Sequence, residues 1–242
     1  MKEKIFYIMQ EIIDFFYKIR IKKFFLNQFK NKKINSLIDV GAHRGETVIF
    51  FKKFLKINKI YCYEASFENF KFLKNNLNKK NFSNIRIINL GIGEKNEIKK
   101  LNELVESQSS TFNQINLNTK YTKRKINFLR FFFKFNNIVK KKINIRIVTL
   151  KDEMTKNIKL KNIDILKIDT EGYEYNVLKG LGNEILKIKY IYFEHHFDRS
   201  IIKGYKISDI HNYLTLWGFE KKFKIKMPMR KVFDYVYKNI KN

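Results

Sequence analysis

The sequence predicts an α/β fold, in which a parallel β-sheet carries helices on both faces. Short apolar runs typical of strands alternate with longer amphipathic segments typical of helices, as a parallel sheet requires. Two further runs, at residues 219–227 and 231–239, are joined around Pro228 and predict an antiparallel hairpin at one edge of the sheet. The runs expected to form the parallel strands lie at residues 36–41, 59–65, 84–94, 162–172 and 189–196.

Amphipathic segments supply the helices between these strands. The clearest one covers residues 66–80, because Ser66 can cap it and one face carries Phe67, Phe70, Leu73 and Leu77. We expect further helices at residues 47–56, 173–182 and 207–217.

The first 35 residues are expected to form a separate basic, amphipathic helical segment, followed by one domain over residues 36–242. An apolar stripe of this kind usually packs against the chain's own domain, and binding to an anionic bilayer is the alternative. The residues on the stripe are Ile5, Met9, Ile12, Phe16 and Ile19.

Residues 120–142 interrupt the alternation of strands and helices. They interleave Lys and Arg with phenylalanines, among them Phe128 and Phe131. We expect an insertion on the rim of the sheet, folded as a lid or an extra helix. Contact with lipid or nucleic acid is the alternative.

The composition is strongly basic, with 51 Lys and Arg against 23 Asp and Glu and a formal net charge of +28. Lys greatly outnumbers Arg, and Asn, Ile, Phe and Tyr are also abundant, which is the composition that an A/T-rich coding sequence alone could produce. Arg forms the bidentate contacts with phosphate and guanine, and it is scarce here. We therefore interpret the charge as a solvated lysine surface rather than a nucleic-acid interface.

Cysteine content and hydropathy exclude further classes of protein. The single cysteine, Cys62, excludes a disulfide framework and a multi-cysteine metal site. No uncharged apolar run approaches the ~20 residues of a membrane span. Gln10, Glu11 and Asp14 interrupt any signal-peptide core. We expect a cytoplasmic protein, with peripheral contact at the inner membrane surface left open for the basic segments.

Glycines and acids follow the first two predicted strands, at the edge of the sheet where α/β proteins bind ligands. Asp39, Gly41 and Gly45 follow the first strand, and the glycines let the backbone approach a ligand closely. Glu64 closes the second strand, where a carboxylate can accept hydrogen bonds from both ribose hydroxyls. Together the two strand ends indicate a cofactor that carries a nucleoside.

Three further strand ends bring small and polar residues to the same edge. The sequence Gly-Ile-Gly at residues 91–93 would let an adenine ring lie against the backbone. Asp169 and Glu171 follow the fourth strand within a cluster of acids that apolar packing does not explain. His195 and His196 follow Glu194 at the end of the fifth strand, where a role in the site and a structural role are equally expected.

Over roughly residues 36–197 the chain resembles the FkbM family of S-adenosylmethionine-dependent methyltransferases. The resemblance implies a Rossmann-like class I methyltransferase fold with a mostly parallel seven-stranded sheet and S-adenosylmethionine as cofactor. The motifs that carry it are IDVGAHRGET, YCYEAS, NLGIGE, the SST at Ser109–Thr111, VTLKDE and DILKIDTEGYEYNVLKGL. The residues expected to bind the cofactor are Asp39, Gly41, His43, Gly45, Thr47, Glu64, Ala65, Gly91, Ile92 and Gly93.

The resemblance also implies O-methylation of a hydroxyl on a sugar, glycan or glycolipid intermediate. Such a hydroxyl is a poor nucleophile at neutral pH and needs a base or a metal ion. Asp169, Glu171 and His195 are the candidates for this assistance, Asp169 first. A divalent metal ion is left open, with no ligand assigned. Thr149 and Asp152 are interpreted as structural, with Asp152 capping a helix.

Two alternative functions remain at this point. The net charge of +28 favours a nucleic-acid methyltransferase. Against it, the fourth strand lacks the (N/D)PP(Y/F) block of amino-group methylation, and Cys62 lies inside the second strand, away from the position of a base-attacking thiolate. The other alternative is a non-catalytic, basic surface-binding module that keeps the same fold.

Overall fold

We describe a computed structural model of the 242-residue chain. The apolar positions Ile5, Met9 and Ile12 of the predicted N-terminal stripe, and Ser109 of the SST motif, lie outside the described residues. The structure describes residues 16–30, 32–80, 82–105, 110–133, 137–228 and 230–241.

Within the described residues, seven strands form one sheet in the order β11-β12-β9-β8-β1-β2-β3. Neighbouring strands from β3 to β9 run parallel, and β12 and β11 continue the sheet in antiparallel pairing. The predicted α/β class and the closing hairpin are therefore confirmed. The strands of this sheet are β1 Ile34–Val40, β2 Ile57–Tyr63, β3 Ile85–Ile88, β8 Ile163–Ile168, β9 Ile188–His196, β11 Phe219–Lys226 and β12 Val232–Asn239.

Helices cover both faces of the sheet because successive strand residues point to opposite sides. Leu37 belongs to an apolar core with α1, α2 and α3, whereas its neighbour Ile38 belongs to the opposite core with α6 and α7. Ser66 caps α3 by accepting a hydrogen bond from the Asn69 amide, as predicted. The helices are α1 (16–28), α2 Glu46–Lys52, α3 Phe67–Asn78, α4 Lys120–Phe133, α5 Leu150–Glu153, α6 Glu174–Lys179 and α7 Ile207–Leu216.

Helix α1 packs on the sheet through a different face from the predicted one. Phe16 and Ile19 of the predicted stripe are 68% and 43% exposed. Tyr17, Ile21 and Phe25 are buried instead, at the i, i+4, i+8 spacing of one helix face. Since almost every turn of this helix carries apolar residues, periodicity alone does not select the buried face.

The third predicted strand divides into two strands that belong to different sheets. β3 stays in the main sheet, whereas β4 Gly91–Gly93 pairs with β7 Val139–Thr149, which also pairs with β5 Glu97–Leu104. Asn89 lies at the division, and its amide nitrogen donates to the carbonyl oxygens of Glu64, at 2.8 Å, and Ala65, at 3.1 Å.

The predicted insertion is shorter than expected. Helix α4 accounts for residues 120–133, but residues 139–142 begin strand β7 of the small sheet. The run of lysines at the start of β7 obscures the strand pattern, because their side chains are exposed at three successive positions. A two-stranded pair also joins β6 Gln114–Ile115 to β10 Ile201–Ile202.

The VTLKDE motif is structural, as predicted, although its cap is a different residue. Thr149 is the N-cap of α5 and accepts a hydrogen bond from the Asp152 amide at 3.0 Å. Asp152 instead receives the Asn96 side-chain amide and forms an ion pair with Lys156, both at 2.8 Å. A π-helix, Met154–Ile158, and a 3-10 helix, Gly182–Lys187, complete this region. None of the helices in the described part of the chain combines the length and the apolarity needed to cross a bilayer.

Candidate active site

A cleft opens at the carboxyl ends of the parallel strands, between the segments that follow β1, β2 and β8. It contains eight of the residues predicted to bind cofactor or assist catalysis: Gly41, His43, Glu64, Ala65, Gly91, Ile92, Asp169 and Glu171. The other lining residues are Val40, Tyr63, Asn69, Leu90, Leu101, Ser110, Phe112 and Thr170.

Gly41 joins the two halves of the cleft through direct backbone contact. Its φ is +80°, a left-handed conformation that favours glycine. A Cβ atom placed on Gly41 would lie 1.9 Å from the carbonyl oxygen of Asp169. On its other side, the Gly41 amide donates to the Tyr63 carbonyl oxygen at 2.9 Å. The absence of a side chain therefore lets the ends of β1, β2 and β8 meet.

Glu64 is held rigidly at the end of β2. One carboxylate oxygen accepts the His43 backbone amide and the other accepts the Ser66 amide, each at 2.8 Å. The residue is buried, and burial raises its pKa to about 7, although these amides oppose the shift. The Asn69 side chain also hydrogen-bonds to this carboxylate. A carboxylate has about four acceptor positions, so it can still accept a hydrogen bond from a ligand hydroxyl.

Asp39 lies beneath the cleft rather than on its surface. It is fully buried, and neither carboxylate oxygen makes a hydrogen bond with the described residues. Burial raises its pKa to about 7, and the charge of Lys167, its neighbour on β8, opposes this shift. An unsatisfied buried carboxylate beside the glycine turn is a position at which a cationic ligand group would be stabilised.

Asp169 presents its carboxylate at the end of β8 and is supported from inside the sheet. The buried Lys167 ammonium lies 3.0 Å from Asp169 Oδ2. Burial lowers the pKa of Lys167, but the charges of Asp169, Asp234 and Asp39 outweigh it and raise the pKa overall. Asp234 in turn accepts hydrogen bonds from the hydroxyls of Tyr17 and Tyr192.

Glu174 shapes the loop between Asp169 and α6. Its buried carboxylate accepts the backbone amides of Thr170, at 3.2 Å, and Gly172, at 2.8 Å. The Tyr205 hydroxyl donates to its other oxygen at 2.5 Å. The Thr170 hydroxyl also donates to this carboxylate, at 3.2 Å. The four donors fix the course of the loop and thereby the positions of Asp169 and Glu171.

Glu171 also belongs to a cluster at the neighbouring strand end. His196 Nε2 lies 3.0 Å from a Glu171 oxygen and 2.7 Å from a Glu194 oxygen, and its Nδ1 lies 3.5 Å from Asp198. Burial opposes protonation, but these carboxylates raise the pKa of His196 well above its usual value. Glu171, Glu194 and His196 each offer one ligand atom, all within 4.8 Å of one another, and are a group that could hold a metal ion.

His195, the predicted catalytic histidine, does not line the cleft. Its ring is buried, packs edge-on against Phe197 at 4.8 Å, and burial lowers its pKa to about 3. The neighbouring His196 contacts the acids instead, because adjacent residues of a strand point to opposite faces. The two-residue spacing from Glu194 to His196 is the sequence signal that these two side chains share one face of the strand.

Four predicted cofactor residues also lie away from the cleft surface. Asp39 is one of them. Gly45, with φ +92°, packs against side chains of α3, where an added Cβ would lie 3.0 Å from Leu77. Gly93 is enclosed by Ile147 and Tyr173, and the half-buried Thr47 lies on α2.

Sequence reasoning missed several residues of the cleft. Phe112 and Ser110 come from the segment between β5 and β6, and Asn69 comes from the first turn of α3. Ser110 and Phe112 follow β5, a strand that was not predicted, and Asn69 lies inside a helix. A search limited to the ends of the predicted strands therefore did not include them. The SST motif was the available signal, because it contains Ser110.

The fold and the cleft together define the class of protein. A buried acid after the second strand, a glycine turn after the first and an acidic loop after the fourth surround one opening, as expected for a nucleoside-bearing methyl donor. The chain therefore has the features of an S-adenosylmethionine-dependent methyltransferase. The model of the methyltransferase FkbM domain matches residues 39–221, and the chain belongs to this family. The family predicted from the motifs is thus confirmed.

Solved structures share the fold at low sequence identity. Methyltransferase FkbM from Methylobacillus flagellatus KT superposes with a TM-score of 0.52 at 16% identity, covering 85% of this chain and 44% of that chain. The METTL16 methyltransferase domain gives a TM-score of 0.51 at 9% identity, covering 91% and 66% of the two chains. M. capricolum TrmK, solved with S-adenosyl-homocysteine, gives 0.49 at 13% identity and covers 90% and 68%.

The chain spans less than half the length of the M. flagellatus protein. No curated protein matches its sequence. The two likenesses with TM-scores above 0.5 establish the fold. The acceptor of the methyl group has to be inferred from the cleft.

Proposed function

We propose that the protein transfers a methyl group from S-adenosylmethionine to a hydroxyl of a sugar, glycan or glycolipid intermediate. The observation that carries this proposal is the convergence of Glu64, Asp169 and Glu171 on one cleft. Gly41 sets the spacing between them through its contact with the Asp169 backbone.

The proposed cofactor position follows from the cleft wall. Glu64 would accept the ribose hydroxyls, and the backbone of Gly91 and Ile92 would lie against the adenine. The turn at Gly41 and His43 would contact the amino-acid part of the cofactor. Asp39, Gly45, Thr47 and Gly93 would support this wall from behind, as their buried or half-buried positions indicate.

In the proposed reaction, the hydroxyl oxygen attacks the methyl carbon while the carbon–sulfur bond breaks and its electron pair returns to sulfur. The hydroxyl proton passes to the Asp169 carboxylate, and the products are a methyl ether and S-adenosyl-homocysteine. Asp169 is suited to this role because the Lys167 ammonium, 3.0 Å away, holds its carboxylate at the cleft. Glu171 would orient the acceptor, since carboxylates readily accept hydroxyl hydrogen bonds.

The local charge of the cleft favours a neutral acceptor over nucleic acid. Although the chain carries a net charge of +28, the cleft wall contains the acids Glu64, Asp169 and Glu171. A phosphate backbone approaching this wall would meet repulsion. A sugar hydroxyl brings no charge and can donate to the acids.

A labelled-methyl transfer assay tests the proposal. The full chain would be incubated with S-adenosylmethionine labelled on the methyl group and with cell extract separated into glycan, lipid, nucleic-acid and protein fractions. We expect label in the glycan fraction or in glycolipid of the lipid fraction, and loss of that label with Asp169→Asn. Label confined to nucleic acid would replace the proposed acceptor, and a folded chain that binds no S-adenosylmethionine would indicate a non-catalytic module.

A further inference from the structure

The ends of β8 and β9 bring Glu171, Glu194 and His196 together beside the cleft. The His196 Nε2 atom lies 3.0 Å from a Glu171 oxygen and 2.7 Å from a Glu194 oxygen. We propose that these three side chains bind a divalent transition-metal cation. The proposed methyl transfer does not depend on this metal site, and metal binding can be measured without any assay of methyl transfer.

The spacing of the three ligand atoms fits a single cation. Nitrogen and oxygen ligands bind zinc at about 2.0–2.2 Å, and adjacent ligands at such bond lengths are ~3 Å apart in octahedral geometry and slightly farther apart in tetrahedral geometry. The two nitrogen–oxygen distances are close to this value, and the ligand atoms all lie within 4.8 Å of one another. Small movements of the carboxylates would therefore complete the coordination.

The imidazole of His196 distinguishes this group from an ordinary cluster of acids. His196 Nε2 is buried and lies at contact distance from both carboxylates, so one ring nitrogen and two carboxylate oxygens face a common position. On the other side of the ring, Nδ1 lies 3.5 Å from the deeply buried Asp198. A carboxylate behind a metal-binding histidine orients the ring and strengthens it as a ligand. Asp198 is itself fixed, because it accepts the Ser200 amide at 2.8 Å.

The charge of the surroundings also favours a cation. Glu171, Glu194 and Asp198 contribute three carboxylates around one imidazole. The Lys203 ammonium lies nearby and donates to the His196 carbonyl oxygen, so it does not occupy the space between the ligand atoms. A divalent cation that takes the place of the imidazole proton between these ligand atoms would neutralise more of the carboxylate charge than the proton does.

The donor set selects the class of metal. Imidazole nitrogen favours Zn²⁺, Co²⁺ and similar ions, whereas Mg²⁺ and Ca²⁺ prefer sites made entirely of oxygen. Three protein ligands leave coordination positions free for water or another small ligand. If the proposed methyl transfer is correct, such an ion would act as a Lewis acid on the acceptor hydroxyl.

Metal binding to the full chain tests the site directly. The protein would be treated with a chelator, dialysed, and titrated with Co²⁺ by absorption spectroscopy and with Zn²⁺ and Mg²⁺ by calorimetry. We expect one equivalent of Co²⁺ and of Zn²⁺ to bind, with Mg²⁺ much weaker. Asp198→Asn should weaken Zn²⁺ binding by about 10- to 100-fold, and His196→Ala and Glu194→Gln should weaken it further.

The exposed His211, which contacts Tyr237 instead of this cluster, provides the control. His211→Ala should leave Zn²⁺ affinity unchanged. Circular dichroism of each metal-free variant would show whether it is folded. If His196→Ala does not fold, the isosteric Glu194→Gln takes its place in the comparison. The site would be overturned if the wild-type protein binds no Zn²⁺, or if folded Glu194→Gln binds Zn²⁺ as strongly as the wild-type protein does. If the wild-type protein transfers methyl groups but binds no metal ion, the metal site alone is rejected. If it binds the metal ion but transfers no methyl group, the proposed function alone is rejected.

Discussion

Replacing Glu64 with Gln tests the proposed cofactor position most directly. The substitution keeps the size of the side chain but changes one of its two acceptor oxygens into a donor. Each oxygen now accepts a backbone amide at 2.8 Å, from His43 or Ser66. In the variant the new amide group would face one of these donors and could no longer accept from a ribose hydroxyl.

The expected loss follows from these contacts. A hydrogen bond to a charged group contributes roughly 1.5–3 kcal/mol, so the affinity for S-adenosylmethionine should fall about 10- to 150-fold. The effect on folding differs with pH. Because burial raises the pKa of Glu64 from 4.5 to about 7, the wild-type protein loses stability as the pH rises between these values. Gln cannot ionise, so the variant escapes this loss, which reaches about 3 kcal/mol.

Calorimetric titration with S-adenosyl-homocysteine at pH 8 measures the affinity, and urea unfolding at pH 5 and pH 8 measures the stability. Glu68→Gln is the matched control, since Glu68 lies close by in the first turn of α3 but is exposed and paired with Lys140 at 3.0 Å. Cofactor affinity of Glu64→Gln equal to that of the control, in a folded protein, would refute the proposed position.

Three further outcomes are expected. Asp169→Asn should retain S-adenosyl-homocysteine binding but lower the single-turnover rate at least about 100-fold, as expected for loss of a general base; unchanged turnover would remove Asp169 from the mechanism. Gly41→Ala should lower the unfolding midpoint in urea and abolish cofactor binding, because its Cβ would lie 1.9 Å from the Asp169 carbonyl oxygen; a wild-type midpoint would contradict that contact. Burial raises the pKa of Asp39 from 3.8 to about 7, so ionisation of Asp39 lowers the free energy of unfolding by up to about 4 kcal/mol as the pH rises. Asp39→Asn should therefore flatten the decline in stability between pH 4 and pH 7. Parallel profiles of stability against pH for the two proteins would count against a buried, ionisable Asp39.

Much of the site was predictable because parallel strands end at one edge of a sheet. Gly41, Glu64 and Asp169 belong to different strands, yet strand-end reasoning places them together, and the structure confirms that they share a cleft. The fold followed from the same alternation of strands and helices. These features depend on local sequence and on the general geometry of α/β sheets.

The structure differs from the expected side-chain positions where local sequence does not determine which way a side chain faces. His195 and His196 are adjacent, and it is His196 that contacts Glu171, which lies in the loop after β8. The stripe that predicted Phe16 as buried competes with the one that contains Tyr17. In strands β5 and β7 the exposed lysines obscure the alternation that would have revealed a second sheet.

The Tyr17 hydroxyl gives the first described helix an influence beyond its own packing. It donates to Asp234, whose charge acts on Lys167, and Lys167 contacts the Asp169 carboxylate. An amino-terminal truncation through α1 would therefore remove one of the two tyrosine hydroxyls that donate to Asp234. Engineered versions of the protein should keep this helix if the acid at the mouth of the cleft is to remain in position.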